Sequence, residues 1–148
     1  MKAILFISVT LATASSGVAD QAIWSGKLVN GWEDWSWAKV NKAGPTMNVI
    51  AKDWQGVYFH HASQKSSFAA FAFAINGGSK GGQHLELRAT VNKSPLKEAY
   101  LPPLKPGWQT ISVPLKHLGL TGEAFDGVWI QAQKACSFEM KNVKLTGK

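Results

Sequence analysis

The chain has 148 residues, 45% of them hydrophobic and 11% aromatic, with a formal net charge of +7 and a pI near 9.6. A single cysteine excludes an internal disulfide framework. Scattered lysines with one arginine (Arg88) and no reader motif argue against a nucleic-acid partner, and no membrane partner is expected.

The N-terminus has the form of a secretory signal peptide over residues 1–19. Met1-Lys2 is a small positive region, 3–14 is apolar, and Gly17 and Ala19 stand three and one residues before a cleavage point at Asp20. The apolar run is too short to span a bilayer. A secreted protein, extracellular or periplasmic, is therefore expected. Residues 20–148 have the length of one domain and suffice for a core without staples. A monomer is expected. Cys136, near a strand start, reads as a small core residue, with a reactive thiol or an intermolecular link as the alternative.

In chain order the pattern predicts strands at 22–29, 35–41, 46–51, 55–61, 67–76, 83–91, 97–101, 108–114, 127–133 and 137–145. Gly, Pro, Asn or Ser separate them. One helical turn is predicted at 114–118, and 76–82 reads as a flexible hairpin connection. Many short strands at this spacing predict an all-β, antiparallel β-sandwich jelly roll, a single domain over 20–148.

Alternation assigns faces. Val57 and Phe59 point inward, leaving Tyr58 and His60 on the opposite face with Trp54. Phe71, Phe73 and Ile75 point inward, leaving a strip of Ala70, Ala72 and Ala74 outside. Leu85, Leu87, Ala89 and Val91 form one side, and Glu86 and Arg88 the other, as a same-face ion pair. Val128, Ile130 and Ala132 turn Trp129, Gln131 and Gln133 outward. The alanine strip, flanked by Tyr58, His60, Arg88, Trp129 and Gln131, is expected to floor a shallow groove.

Seven tryptophans are far more than a core of this size needs, and Trp24, Trp32, Trp35, Trp37 and Trp54 crowd the first part of the chain. About half are expected to be structural, because large aromatics dominate cores. Trp108 is placed among these. An indole offers a flat apolar face and one N–H donor, which suits the C–H face and hydroxyls of a sugar ring.

The stretch from Trp24 through Trp37, the run Asp53-Trp54-Gln55-Gly56-Val57-Tyr58-Phe59-His60-His61, Trp108 to Leu115, Val128-Trp129-Ile130-Gln131 and Phe138 to Val143 resemble secreted carbohydrate-binding modules of the galactose-binding-like jelly-roll type. Such modules are appended to bacterial glycoside hydrolases or stand alone. The resemblance covers nearly all of 20–148. It implies a jelly roll that binds glycans without cleaving them. It also raises a structural calcium, for which Asp20, Glu33, Asp34, Glu139 and Asn142 are the terminal oxygens on offer.

The expected ligand face carries Trp54, Tyr58, His60, Arg88, Trp129 and Gln131, extended by Trp32 and Trp35. The partner is a polysaccharide, and the basic chain admits an acidic one. Two rival functions share these residues. A polysaccharide lyase would use Tyr58 or His60 as base, with Arg88 and Gln131 neutralising a uronate. A secreted protein-interaction effector would use the Trp-rich end against another protein. Glycoside hydrolysis needs paired carboxylates across a cleft, and only Glu86 reads as outward-facing there. Adjacent His60 and His61 on a strand point apart and do not jointly ligate a metal.

Overall fold

Period-two alternation along most of the chain leaves one apolar face per strand, and two sheets bury these faces against each other. The computed structural model describes residues 19–148. The predicted signal peptide lies outside the described residues, save Ala19. The strands are β1 (Gln21–Trp24), β2 (Trp32–Asp34), β3 (Lys39–Asn41), β4 (Met47–Ala51), β5 (Gly56–Lys65), β6 (Phe68–Asn76), β7 (Leu85–Val91), β8 (Ser94–Pro95), β9 (Ala99–Tyr100), β10 (Trp108–Pro114), β11 (Phe125–Ala132) and β12 (Cys136–Gly147).

The first sheet runs β9-β7-β11-β5-β2, with β8 also paired to β7. The second runs β10-β6-β12-β4-β3, with β1 also paired to β12. All pairings are antiparallel. The fold is thus the all-β sandwich expected. Its core holds Val57, Phe59, Leu87 and Ile130 from one sheet against Phe71, Phe73, Ile75 and Met140 from the other. The Phe59 and Phe71 rings meet across the interface at 6.4 Å.

The one helical turn is a 3-10 turn at Leu115–Leu118, closed by Gly119 in the left-handed conformation that glycine takes without penalty. Three expectations change. The predicted strand 35–41 is interrupted, because Trp35, Trp37 and Ala38 give their N–H groups to β5 in an irregular pattern before β3 begins. Residues 76–82 are not a hairpin. They carry the chain from β6 in the second sheet to β7 in the first, packed on 104–107 through Gly82 N–H to Leu104 O (2.7 Å) and Gly107 N–H to Gly78 O (2.8 Å). The alanine strip does point outward, but from the second sheet, opposite Pro114, Ser112 and Thr110. It therefore floors no groove beside Tyr58 or Trp129. Cys136 opens β12 half-buried, and burial pushes its thiol pKa up.

Replacing Leu87, fully buried on a central strand, by alanine is expected to cost about 2–5 kcal/mol in urea denaturation. Ile50→Ala, at a side chain 56% exposed on the outer face of the second sheet, is expected to stay within about 0.5 kcal/mol.

Candidate functional site

The outward face of the first sheet is built in three rows that the strand register sets. Tyr100, Glu86, Gln131 and Gly56 lie opposite one another in the first row, and Arg88, Trp129 and Tyr58 in the second. Thr90, Gly127, His60 and Glu33 make the third. Paired residues share a face, so aromatic, amide and charged groups are brought together from five strands.

Two glycines on this face give the aromatics room. A Cβ on Gly127 would collide with the Tyr58 ring, and one on Gly56 would lie 3.1 Å from Trp37 Cη2 and 2.6 Å from Ile130 O. The Tyr58 and Trp37 rings therefore lie down over bare backbone. Contacts then run across the face: Trp37 to Trp129 at 5.2 Å, Trp129 to Tyr58 at 5.4 Å and Tyr58 to Trp35 at 6.1 Å, all edge-to-face. Edge-to-face geometry suits the ring quadrupoles.

The segment 34–38 supplies two of these rings. Trp35 N–H donates to Tyr58 O at 2.8 Å and Trp37 N–H to Gly56 O at 3.1 Å, while Ser36 Oγ accepts from Tyr58 N–H at 3.0 Å. Asp34 Oδ1 accepts from Ser36 N–H at 2.9 Å, a local turn bond typical of Asp, and Asp34 Oδ2 pairs with Lys42. Burial raises the Asp34 carboxyl, but the bonds from Lys42 and Ser36 outweigh it and hold the group below 3.8. Trp37 Nε1 and Gln131 Nε2 both donate to Trp54 O, at 2.9 and 2.8 Å, and fix the turn that presents the Trp54 ring.

Beneath the rings is a polar floor. Tyr58 OH and Thr90 Oγ1 are 2.8 Å apart, Thr90 Oγ1 donates to Asp126 Oδ1 at 2.7 Å, and His60 Nε2 is 3.2 Å from Asp126 Oδ2. Lys93 N–H closes the Asp126 shell at 2.9 Å. Asn92 and Lys93 both have positive φ and form the two-residue turn joining β7 to β8, a geometry that matches strand twist. The turn brings Lys93 Nζ to 5.5 Å from the Trp35 ring. Trp35 stacks flat on His60, centroids 3.5 Å apart at 12°. Beyond Trp35 the face continues into a hollow of about 430 Å³ bordered by Glu33, Gln64 and Lys93.

The arginine of the face is held by its neighbours. Arg88 Nε donates to Glu86 at 3.3 Å, Nη1 to Leu96 O at 2.9 Å and Nη2 to Glu98 at 2.8 Å. The Glu86–Arg88 pair is the one the alternation predicts. Each guanidinium nitrogen therefore already has a partner within the protein.

The structure brings most of the predicted site residues together, in different roles. Trp35 (41% exposed) and Trp54 (55%) offer open rings. Tyr58 and His60 lie on the face but are buried to 7% and 5% beneath the tryptophans, so they support rings rather than meet a ligand. Trp129 points outward, yet it is half-buried between Trp37 and Tyr58. Gln131 spends its amide on Trp54 O. Trp32 is not on this face. It packs edge-on against His61 at 5.2 Å, 4% exposed, with Nε1 on Gln21 Oε1. Two open rings were missed. Trp37, 39% exposed, shares parity with Trp35, a signal present in the sequence. Tyr100, 65% exposed, lies in a two-residue strand too short to show alternation. The oxygens considered for calcium are dispersed: Asp20 holds Lys144 and Gly147, Asp34 holds Lys42 and Ser36, and Glu139 holds Asn76 and Thr46. These carboxylates do not fit one cation, and no cluster of three metal-ligating side chains occurs among the described residues.

No family model and no curated protein sequence matches the chain. Solved structures do. A family 29 carbohydrate-binding module superposes with TM-score 0.66 at 14% identity, over 87% of this chain and 88% of that one. A CBM29-2 variant complexed with mannohexaose gives 0.66 at 14% identity over 86% and 90%. Another, complexed with cellulohexaose, gives 0.66 at 14% over 87% and 90%. At this identity the likeness is one of fold, and the β-sandwich here is the β-sandwich of those modules.

The lowered Asp34 carboxyl makes a pH prediction. A folded-state value below the ordinary one gives stability that is complete above about pH 4 and lost as pH falls through the lower folded value. Asn at position 34 keeps an acceptor for Ser36 N–H but drops the charge. Asp34→Asn is therefore expected to lower the melting temperature near neutrality and to flatten its decline as the pH falls below about 4. Thermal melts across that range, followed by tryptophan fluorescence, check it.

Proposed function

We propose that this chain is a secreted, non-catalytic polysaccharide-binding protein whose first-sheet face takes a neutral, extended hexose polymer. One observation carries the reading: the half-open indoles Trp35 and Trp37 lie over a face on which Arg88 is already bound by Glu86 and Glu98, and the turn bearing the exposed Trp54 is bonded to that face through its carbonyl. Open rings beside a guanidinium held by two carboxylates suit uncharged sugars, whose C–H faces stack on aromatics, while Lys93 Nζ, 5.5 Å from the Trp35 ring, is the cation that stands outside this pairing. The similar modules complexed with mannohexaose and cellulohexaose support neutral hexose chains as the class to test. Secretion rests on the 1–19 signal pattern.

The site chemistry disfavours the lyase. A general base must be accessible and tuned toward neutrality. Burial pushes the Tyr58 hydroxyl pKa up, and the Asp126 charge adds to that despite the Thr90 bond. Tyr58 and His60 are also covered, and Arg88 is engaged. A protein-interaction role would use the same rings, and the assay below separates the two.

In affinity electrophoresis against soluble glucomannan, mixed-linkage β-glucan and galactomannan, the wild type is expected to be retarded by at least one of them. Trp37→Ala and Trp54→Ala are expected to weaken that binding about tenfold or more each, the loss of one stacked ring. The melting temperature of Trp54→Ala should stay within a few degrees, since its side chain is more than half exposed, while Trp37→Ala, which also loses the Trp129 contact and the bond to Trp54 O, should lower it further. Trp24→Ala, at a ring 1% exposed in the core, is the contrast and should destabilise the fold. No retardation by any neutral polymer would overturn the reading.

A further inference from the structure

We infer that the outer face of the second sheet is a second glycan site, built for an anionic polysaccharide carrying carboxylate or sulfate groups. The strand register sets a second row there. Trp108, Asn76, Glu139, Asn48 and Asn41 lie opposite one another across β10, β6, β12, β4 and β3. Four interstrand steps of about 4.8 Å make the row roughly 19 Å long. Trp108, expected from sequence to be structural, is 40% exposed at one end of it. The row runs alongside a groove of about 680 Å³, which Asn48, Asn76 and Glu139 line together with the 77–82 loop.

The chemistry of this row differs from that of the first face. Lys80 and Lys134 line the groove, and Lys141 Nζ stands 4.3 Å from the Trp108 ring centroid. Against these three cations stand Glu139, whose Oε1 accepts from Asn76 at 3.1 Å and Oε2 from Thr46 at 3.3 Å, and Asp53, whose Oδ1 accepts from Ala135 N–H at 2.7 Å. No carboxylate lies within salt-bridge reach of Lys80, Lys134 or Lys141 among the described residues, whereas Arg88 on the first face has two. Gln83 Nε2 donates to Gly77 O and Ser137 O, both at 2.9 Å, and ties the loop to β12. An open indole, amides and unpaired ammonium groups suit a charged sugar chain. Nucleic acid would also meet the cations, and the test separates it.

The test uses the whole mature chain with polygalacturonate, dextran sulfate and a neutral glucomannan, titrated by calorimetry at low and high salt. The wild type is expected to bind at least one anionic polymer, and to do so more weakly as salt rises, because screening acts on open cations. Binding of polygalacturonate alone assigns the site to carboxylates, and binding of dextran sulfate alone to sulfates. Trp108→Ala is expected to weaken anionic binding about tenfold or more, and the Lys80→Ala/Lys134→Ala pair to weaken it and flatten its salt dependence. Both should leave neutral binding unchanged, and Trp37→Ala should leave anionic binding unchanged. Should Trp108→Ala fail to fold, Lys134→Glu tests the same site by charge reversal. The inference is overturned if neither anionic polymer binds, or if Lys27→Ala/Lys116→Ala, remote from the groove, weakens binding as much. It is also overturned if Trp108→Ala binds normally, or if duplex DNA displaces the glycan with equal affinity. Loss of neutral binding alone sinks the proposed function of the first face and leaves this inference standing.

Discussion

The first-sheet face depends on how residues 34–38 dock along β5. Two backbone bonds, Trp35 N–H to Tyr58 O and Trp37 N–H to Gly56 O, replace a regular strand pairing there. Their irregularity carries two indoles over the sheet instead of leaving them at its edge. The docking works because Gly56 has no side chain to meet Trp37, and because Gly127 lets the Tyr58 ring lie flat in the neighbouring row. Substituting either glycine would displace the rings that lie over it.

Placing charges in space resolves what the net charge alone obscures. A net charge of +7 suggests an anionic partner for the protein as a whole. Yet Glu33, Glu86, Glu98 and Asp126 gather on and around the first face, where Arg88 holds Glu86 and Glu98 and His60 lies against Glu33 and Asp126. On the second sheet and its loops, Lys80, Lys134 and Lys141 have no carboxylate within salt-bridge reach among the described residues. Burial explains part of the difference. Glu86 and Asp126 are nearly inaccessible, and buried charges require partners, whereas exposed lysines on a sheet surface do not.

The fold was legible because it follows from period-two alternation. Leu85–Leu87–Ala89 and Val128–Ile130–Ala132 were assigned inward and are inward, and the outward placement of Tyr58, Glu86, Arg88, Trp129 and Gln131 followed from the same rule. Which sheet a strand joins was not legible, since alternation fixes a face and not a neighbour. The outward strip of Ala70, Ala72 and Ala74 was consequently attached to the wrong sheet. Depth was equally hidden. His60 is outward by parity but buried by Trp35, which reaches it from a segment without regular structure. Trp32 reads like Trp35 in sequence, yet its place opposite His61 in β2 turns it into the core, while the backbone irregularity begins just after Asp34. An irregular connection leaves no periodic trace, and here such a connection places the missed Trp37, whereas Trp32 is set by regular pairing opposite His61.

Trp54 adds an independent argument that the open rings are kept for a purpose. It sits at φ +65°, in the left-handed region where a bulky side chain costs roughly 1–2 kcal/mol. Glycine or asparagine would make the same turn with less strain. The surroundings hold the conformation: Trp54 N–H donates to Ala132 O at 2.8 Å, and Trp54 O accepts from both Trp37 and Gln131. None of these bonds uses the indole, which remains more than half exposed. Strain of this kind persists only where surrounding contacts over-determine it, and it concentrates at ligand sites. The turn is therefore built to present the ring rather than to bury it. The bonds fix the backbone from which the ring projects, and a segment ordered in advance loses less freedom in any contact it makes.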